Sequence, residues 1–172
     1  SYYSEIMTPN GVGLETFKDY SAYQEYATAY FGFLYGEGGK KEVPKEEINK
    51  FLKEKYAYVN VLSLDISTLK EEEVEEKEKE YNKYLARLKK GENFGKIYAE
   101  ANNETYTENK NDSGIFNNDK ATVWGAKDTM YDNDYFNNVA GLKNGQAKVF
   151  KVDDENGKYL ILVVKGDIMQ KG

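Results

Sequence analysis

The N-terminal third of the chain carries apolar residues at three- and four-residue intervals, which is the spacing of one face of an α-helix. One such stretch runs from Leu14 to Leu34 and is followed by a glycine-rich segment. A second helix is expected to begin at Pro44, because proline is favoured at the first helical position. The two helices predict a helical arm over residues 1–55. Their apolar positions are Tyr23, Tyr26, Ala27, Tyr30, Phe31 and Leu34 in the first helix, and Ile48, Phe51, Leu52 and Tyr56 in the second.

The aromatic stripe of the first helix leaves two interpretations open. Tyrosines at helical spacing most often belong to a core, which predicts that they are buried. Tyrosine also combines a large apolar ring with a polar tip that tolerates water. The same stripe therefore suits an exposed surface that holds other polypeptides.

The middle of the chain changes to strand-forming residues and then to a long charged helix. Residues 57–64 are rich in strand formers and predict a strand. Thr68 followed by Glu71 is a capping-box pattern, which predicts the start of a helix that runs to Lys90. A polar stretch over residues 102–119 predicts a surface loop. A short helix before this loop is indicated by apolar residues in helical register, namely Phe94, Ile97, Tyr98 and Ala101.

The last third of the chain predicts three strands and one short helix. A strand is expected over residues 122–125 and a helix over 135–140. Residues 147–152 and 159–164 predict a hairpin, because Asn156-Gly157 between them is a strong hairpin dipeptide. Residues 159–164 show no alternation of apolar and polar positions, which indicates a strand in the centre of its sheet. The predicted order β-α-α-β-α-β-β indicates an α+β fold with helices packed on a sheet.

Composition excludes several classes of chemistry. The 172 residues contain no cysteine and no histidine, which excludes thiol nucleophiles, disulfides, Cys/His zinc sites and His-based catalytic triads. The formal charge is −6, and nucleic-acid binding is not expected because it needs a concentrated basic face. The longest apolar stretch, residues 159–164, is much shorter than a membrane-spanning helix. No cofactor and no metal site is predicted.

Four segments, in the right order and spacing, resemble the parvulin family of peptidyl-prolyl isomerases. More narrowly, the chain resembles the PpiC-like domains of extracytoplasmic foldases of the PrsA and SurA kind. The likeness covers residues 56–168. The four segments are VNVLSL at 59–64 beside the family's H-I-L-V strand, YLARLKKGENF at 84–94 beside I-L-x-x-L-K-K-G-x-D-F, LKNGQ at 142–146 beside L-K-x-G-E, and GKYLI at 157–161 beside G-Y-H-I-I.

The resemblance implies both a fold and a function. The implied fold is a parvulin-like (FKBP-like), largely antiparallel four-stranded sheet with packed helices over residues 56–172, preceded by a chaperone-like helical arm over residues 1–55. The implied function is a folding factor, at the cell surface or secreted, that binds unfolded or newly exported polypeptides. The resemblance leaves room for a lipid anchor outside this chain, for a homodimer, and for an arm that is part of a larger helical module. The chain shows no signal peptide, so the extracytoplasmic location follows from the resemblance alone.

The family's active-site positions fall on residues that are not histidines. Parvulins place two histidines back to back on the first and last strands, and the resemblance puts these positions on Asn60 or Val61 and on Leu160. The family's acid after the second helix has candidates in the corresponding loop. The other matched positions are Met130 for the pocket methionine, Tyr135 or Phe136 for the pocket phenylalanine, Trp124-Gly125 for the L-G step, and Asp112 or Ser113 for the acid.

The reaction itself does not require histidine. The barrier to rotation about the prolyl bond, about 18–20 kcal/mol, is set by amide resonance, so neither proton transfer nor a covalent intermediate is needed. An apolar pocket of Met130, Tyr135, Phe136 and Leu160 could hold a proline ring and favour the twisted amide. Without the polar inner pair, substrate orientation loses its main support.

Three hypotheses follow from these residues. The first is a binding module that captures extended apolar segments through exposed aromatic side chains, with isomerase activity weak or lost. The second is an active histidine-free isomerase that uses the pocket residues and the polar group of Asn60. The third is a structural or dimerisation module of the cell envelope.

Overall fold

A computed structural model describes residues 3–170 of the chain, except Asn109, Asn111 and Ser113. Ser113, one of the two candidates for the family's acidic position, therefore lies outside the described residues. The chain divides into two compact units, Ser1–Ile48 and Asn49–Gly172.

The N-terminal unit is dominated by one long helix. Helix α1 spans Leu14–Tyr35, and it follows a π-helical turn at Tyr3–Met7 and a 3-10 turn at Thr8–Asn10. It ends at Gly36, where a Cβ atom would collide with the carbonyl of Gly32. None of the 22 residues of α1, all of which are described, is buried. The predicted helix is confirmed, and the aromatic residues of its predicted stripe, Tyr23, Tyr26, Tyr30 and Phe31, are exposed rather than part of a core.

The second unit contains a four-stranded sheet and several helices. Helix α2, Lys45–Lys55, contains the boundary between the two units; it begins next to the predicted Pro44 and leads directly into the first strand. The order of elements confirms the predicted β-α-α-β-α-β-β. The elements after α2 are β1 (Tyr56–Asp65), α3 (Glu71–Lys89), α4 (Phe94–Ala101), β2 (Ala121–Gly125), α5 (Phe136–Val139), β3 (Ala147–Asp154) and β4 (Gly157–Lys165), with 3-10 turns at Asn118–Lys120 and Ile168–Gln170.

The four strands are antiparallel and lie in the order β2-β1-β4-β3. Strand β4 is therefore internal, as the unbroken apolar run of residues 159–164 predicted. It lies directly beside β1, so the opening and closing strands of the predicted domain are neighbours. The coarse prediction of an α+β fold with an antiparallel sheet is confirmed.

Apolar side chains cover both faces of the sheet and form two cores. We call them the α3–α4 core and the α5 core, after the helices that contribute to each. Because side chains alternate along a strand, neighbouring residues of β1 and β4 belong to different cores. The α3–α4 core contains Tyr58, Leu62, Ile66, Tyr81, Tyr84, Leu88, Phe94, Ile97, Phe116, Leu160, Leu162 and Val164. The α5 core contains Ala57, Val59, Trp124, Phe136, Val139, Ile161 and Val163.

Two local predictions are wrong. Helix α3 begins at Glu71, and the carboxylate of Glu73 accepts a hydrogen bond from the Lys70 N–H at 2.8 Å, so Thr68 and Glu71 do not form the capping box. The preceding residues are held in a turn, since the Leu69 N–H donates to the Ile66 carbonyl at 3.2 Å.

The predicted hairpin of β3 and β4 is confirmed, but its loop is shorter than residues 153–158, which separate the two predicted strands. Asp154 pairs with Gly157, so the loop consists of Glu155 and Asn156 alone. Gly157 is the first residue of β4 and takes a φ of 139°, a conformation that favours glycine. The Asp154 carboxylate accepts a hydrogen bond from the Asn156 N–H at 2.8 Å and so fixes the turn.

Candidate functional site

Helix α1 presents a continuous aromatic surface. We call the following six side chains, which are between 58% and 73% exposed, the α1 aromatic surface: Tyr20, Tyr23, Tyr26, Tyr30, Phe31 and Phe33. At 100° per residue they lie within about half of the helix circumference. An aromatic side chain carries about 200 Å² of surface, so the six expose about 800 Å². This area exceeds the largest apolar patch of a typical monomer, about 300–600 Å².

The C-terminal part of the α1 aromatic surface, from Tyr26 to Phe33, lies in an uncharged segment. Residues 26–36 contain no Asp, Glu, Lys or Arg, although the whole chain is 31% charged. No helix in the described part of the chain combines the length and the apolar character that a bilayer crossing requires. The aromatic rings offer apolar contact area, and the phenol tips of the tyrosines keep this surface wettable.

The two positions matched to the family's histidines do not lie side by side. Asn60 stands opposite Val164, whereas Leu160 stands opposite Leu64. The two residues are therefore offset by four positions along the ladder, about 13 Å. The alternative Val61 does not repair the offset, because it packs on the α5 core while Leu160 is 1% exposed in the α3–α4 core. The expectation that β1 and β4 bring these two positions together is wrong.

The four residues of the predicted proline pocket are also separated. Met130 is 82% exposed and lines neither core. Phe136 is buried in the α5 core beside Trp124. Leu160 lies on the opposite face of the sheet, in the α3–α4 core. The structure therefore does not assemble one apolar pocket from these residues.

Tyr135, the fourth pocket residue, is tied to the β3–β4 hairpin. Its ring packs edge-on against Trp124 with 5.8 Å between centroids, and its hydroxyl donates to the Asp154 carboxylate at 2.7 Å. That hydrogen bond is the main cause that raises the pKa of Tyr135 to about 12. The Tyr135 hydroxyl is hydrogen-bonded within the fold to Asp154, which indicates a structural role for this residue.

Asn60 holds the loop that precedes β2. The side chain is fully buried, and it donates to the Asn117 carbonyl at 2.6 Å and accepts from the Asn117 N–H at 2.8 Å. The Asn117 amide donates in turn to the Asp112 carboxylate at 3.0 Å, so Asp112 is connected to Asn60 through one residue. A Cβ atom at Gly95 would lie 2.5 Å from the Asn117 amide nitrogen, so α4 must present a glycine here.

A groove of about 230 Å³ lies next to this polar network. The rings of Tyr58 and Phe116 form its aromatic wall, with 5.0 Å between centroids. Gly166 packs under Phe116, and a Cβ atom there would lie 2.5–2.9 Å from the ring. The polar part of the lining is formed by Asn118, Asn144, Lys165, Asp167 and Gln170.

The Lys165 ammonium in the groove is partly desolvated. Burial lowers the pKa of Lys165, whose ammonium donates to the Ala140 carbonyl at 3.0 Å. Among the described residues no carboxylate lies within ion-pair distance of this ammonium. Burial, and secondarily the charge of Asp119, raises the pKa of Tyr58, so its phenol is protonated at neutral pH. The groove thus combines polar side chains with an aromatic wall, an arrangement that suits the binding of a ligand.

Sequence reasoning missed the groove residues. Tyr58 and Asn60 lie on the same face of β1, and the alternation of side chains along a strand could have predicted this. Phe116 lies in a stretch interpreted as a polar loop, where an isolated Ile115-Phe116 pair was the available signal. Lys165, at the end of β4, gave no signal, since its position beside β1 depends on strand pairing.

Comparison of the chain with protein-family models, with curated proteins and with solved structures gives no match in any of the three.

Proposed function

We propose that this chain is a folding factor that binds unfolded or newly exported polypeptides outside the cytoplasmic membrane, with isomerase activity weak or lost. The observation that carries the proposal is the α1 aromatic surface, which exposes six large rings, four of them in the charge-free segment of residues 26–36. Unfolded chains expose apolar segments, and such a surface can bury these segments whatever their sequence, because apolar burial is not directional. Weak, reversible capture of this kind delays aggregation.

The second unit is proposed as a parvulin-like domain. Its element order and the adjacency of β1 and β4 in the centre of the sheet support the proposal, as does the polar Asn60 on the first strand. The connection from Asn60 to Asp112 further supports it, because the resemblance puts the family's acid in that loop.

The geometry favours binding over catalysis. Met130 is solvated, Phe136 and Leu160 face opposite cores, and Asn60 is fully occupied by Asn117. A catalyst of prolyl rotation needs one desolvated pocket that binds the twisted amide better than the planar one. Residues on two faces of a sheet do not form such a pocket.

Aggregation of a client tests the proposal. Chemically denatured citrate synthase is diluted into buffer, and light scattering is followed with and without a tenfold molar excess of the protein. The substitutions Tyr23→Ala, Tyr26→Ala and Tyr30→Ala are combined, since alanine maintains helix propensity while removing the rings. We expect the wild type to suppress scattering and the triple alanine variant to lose at least half of the effect.

The matched control replaces the same three tyrosines with phenylalanine, which keeps the rings and should keep the suppression. Far-UV circular dichroism checks that α1 is intact in each variant. Suppression by the triple alanine variant equal to that of the wild type, or none by the wild type, would refute the proposal. A prolyl-peptide isomerisation assay addresses the enzyme hypothesis, which requires acceleration that Met130→Ala with Phe136→Ala abolishes.

A further inference from the structure

Strand β3 is an open edge of the sheet. All eight of its residues, Ala147–Asp154, pair with β4 in one unbroken register, and none of the described strands pairs with its other side. The ladder is interrupted by no bulge. A regular edge of this length presents a row of unpaired backbone groups that another extended chain can use.

The backbone groups that point outward can be identified from the turn. In a two-residue hairpin the flanking residues, here Asp154 and Gly157, form a hydrogen-bonded pair, and such pairs then alternate along the ladder. The Lys165 N–H donates to the Gln146 carbonyl at 2.9 Å, which agrees with this alternation. No backbone hydrogen bond within the described ranges reaches the outward groups. These groups belong to Ala147, Val149, Lys151 and Asp153.

A pocket adjoins the N-terminal end of this edge. It has a volume of about 720 Å³ and lies between the C-terminal end of α3 and the loops before β2 and β3. Ala147, the first outward residue, lines it. Its apolar walls are Leu88, Ile115 and Leu142. Recognition by strand addition uses this combination, since main-chain hydrogen bonds provide affinity and a side-chain pocket provides selectivity.

We propose that an extended polypeptide segment adds to β3 as a fifth strand and places an apolar side chain in the pocket at Ala147. This inference rests on the proposed function and names how the second unit holds a client. The occupant is an extended chain because outward N–H and C=O groups recur every second residue, about 6.8 Å apart, a repeat that an extended backbone matches. A formal charge of −6 on each copy opposes pairing of two β3 strands.

A peptide-binding measurement tests strand addition. The probe is a fluorescein-labelled peptide of twelve residues in which valine and leucine alternate with serine and threonine, followed by fluorescence anisotropy with the full chain. Lys151→Pro removes an outward N–H and leaves the β4 ladder in place, because proline is tolerated on an edge strand. We expect at least tenfold weaker binding. The control Lys151→Ala removes the ion pair with Glu78 but keeps the N–H, and should bind within twofold of the wild type.

Two further measurements do not depend on whether Lys151→Pro folds. The same peptide, N-methylated at four consecutive central residues, should fail to bind because its donors are removed on both edges. Amide exchange in the wild type should slow at Val149, Lys151 and Asp153 when the unmodified peptide is added. Binding that survives N-methylation, or unchanged exchange at these amides, overturns the inference. Slowing that depends on protein concentration without peptide indicates a second copy as occupant and also overturns it.

The citrate synthase assay separates the two failures. One outcome is that the Lys151→Pro variant binds the peptide as the wild type does, while suppression of citrate synthase scattering still depends on the α1 aromatic surface. This outcome leaves the proposed function intact and overturns strand addition alone. A wild type that neither suppresses scattering nor binds the peptide overturns the proposed function and, with it, this inference.

Discussion

The substitution Asn60→Ala tests the internal anchor of the second unit. Asn60 is fully buried, and its side chain pairs with both backbone groups of Asn117, at 2.6 Å and 2.8 Å. These bonds connect β1 to the loop that positions Phe116 and Asn118, so they hold one wall of the groove. Alanine at position 60 leaves both the N–H and the carbonyl of Asn117 without their hydrogen-bond partners.

The expected loss of stability is about 3 kcal/mol. A buried donor or acceptor without a partner costs about 1–3 kcal/mol, so the two orphaned groups of Asn117 cost about 2–6 kcal/mol together. The lower half of this range applies because the space left by the amide can admit a water molecule to one of them. With a urea slope of about 1–3 kcal/mol/M, the unfolding midpoint should fall by about 1–3 M.

The chain provides its own reporter for this measurement. Trp124 is the single tryptophan, is 7% exposed, and packs in the α5 core of the second unit. Its fluorescence during urea titration therefore follows the unit that contains Asn60. The control Asn82→Ala deletes an exposed asparagine that donates one hydrogen bond, to the Glu78 carbonyl at 2.8 Å, and should shift stability by less than about 0.5 kcal/mol. Equal midpoints for Asn60→Ala and Asn82→Ala would refute the reasoning.

Two further predictions concern packing and charge. Gly166→Ala should destabilise the second unit by about 1–3 kcal/mol, seen in thermal unfolding, because its Cβ would lie 2.5–2.9 Å from the Phe116 ring. Arg87→Met should lower the urea midpoint more at pH 7 than at pH 2. Arg87 lowers the pKa of Glu92 and Glu100 in the folded state, so their contribution is full above the unfolded value of about 4.3 and is lost as pH falls through the lowered folded values.

Matched substitutions control both predictions. Gly141→Ala should be well tolerated, because no atom lies within 4 Å of a Cβ atom there and its φ is not positive. Lys79→Met changes a lysine on the same helix as Arg87, and its effect should not depend on pH. A pH-independent difference between Arg87→Met and the wild type, or equal melting temperatures for the two glycine variants, would contradict the respective argument.

Local patterns predicted the elements of this fold because each element depends on residues close in sequence. The unbroken apolar run at 159–164 placed β4 in the centre of the sheet, since a strand covered on both faces needs no polar alternation. The apolar spacing of Phe94 and Ile97 placed α4 correctly. The capping residues of α3 were predicted wrongly because three successive residues, Glu71–Glu73, each carry a carboxylate that could cap the helix. The backbone turn before the helix decides that Glu73 is the one that does so.

The candidate site depended on information that no local pattern contains. Asn60 and Leu160 each occupy a strand as expected, but whether they meet is decided by the pairing register, which sets a four-residue offset. The partner of Asn60 is Asn117, 57 residues further along the chain. A slip of one residue moves a side chain to the other face of a sheet, so a motif match alone cannot assign Phe136 and Leu160 to one pocket.

The distribution of polar groups over the sheet argues for holding a chain rather than rotating a prolyl bond. Every buried side-chain nitrogen or oxygen in the described part of the chain has a hydrogen-bond partner, so the Asn60 amide is bonded within the fold. Strand β1 lies between β2 and β4 and has neighbours on both sides. In the part of the chain that the structure describes, the outward backbone groups of β3 form a regular row without partners in the fold, and the rings of α1 form a large exposed apolar area. Groups that a partner could contact are thus present on the β3 edge and on α1. In the centre of the sheet, where a proline ring would have to be enclosed, the polar groups are already bonded within the fold.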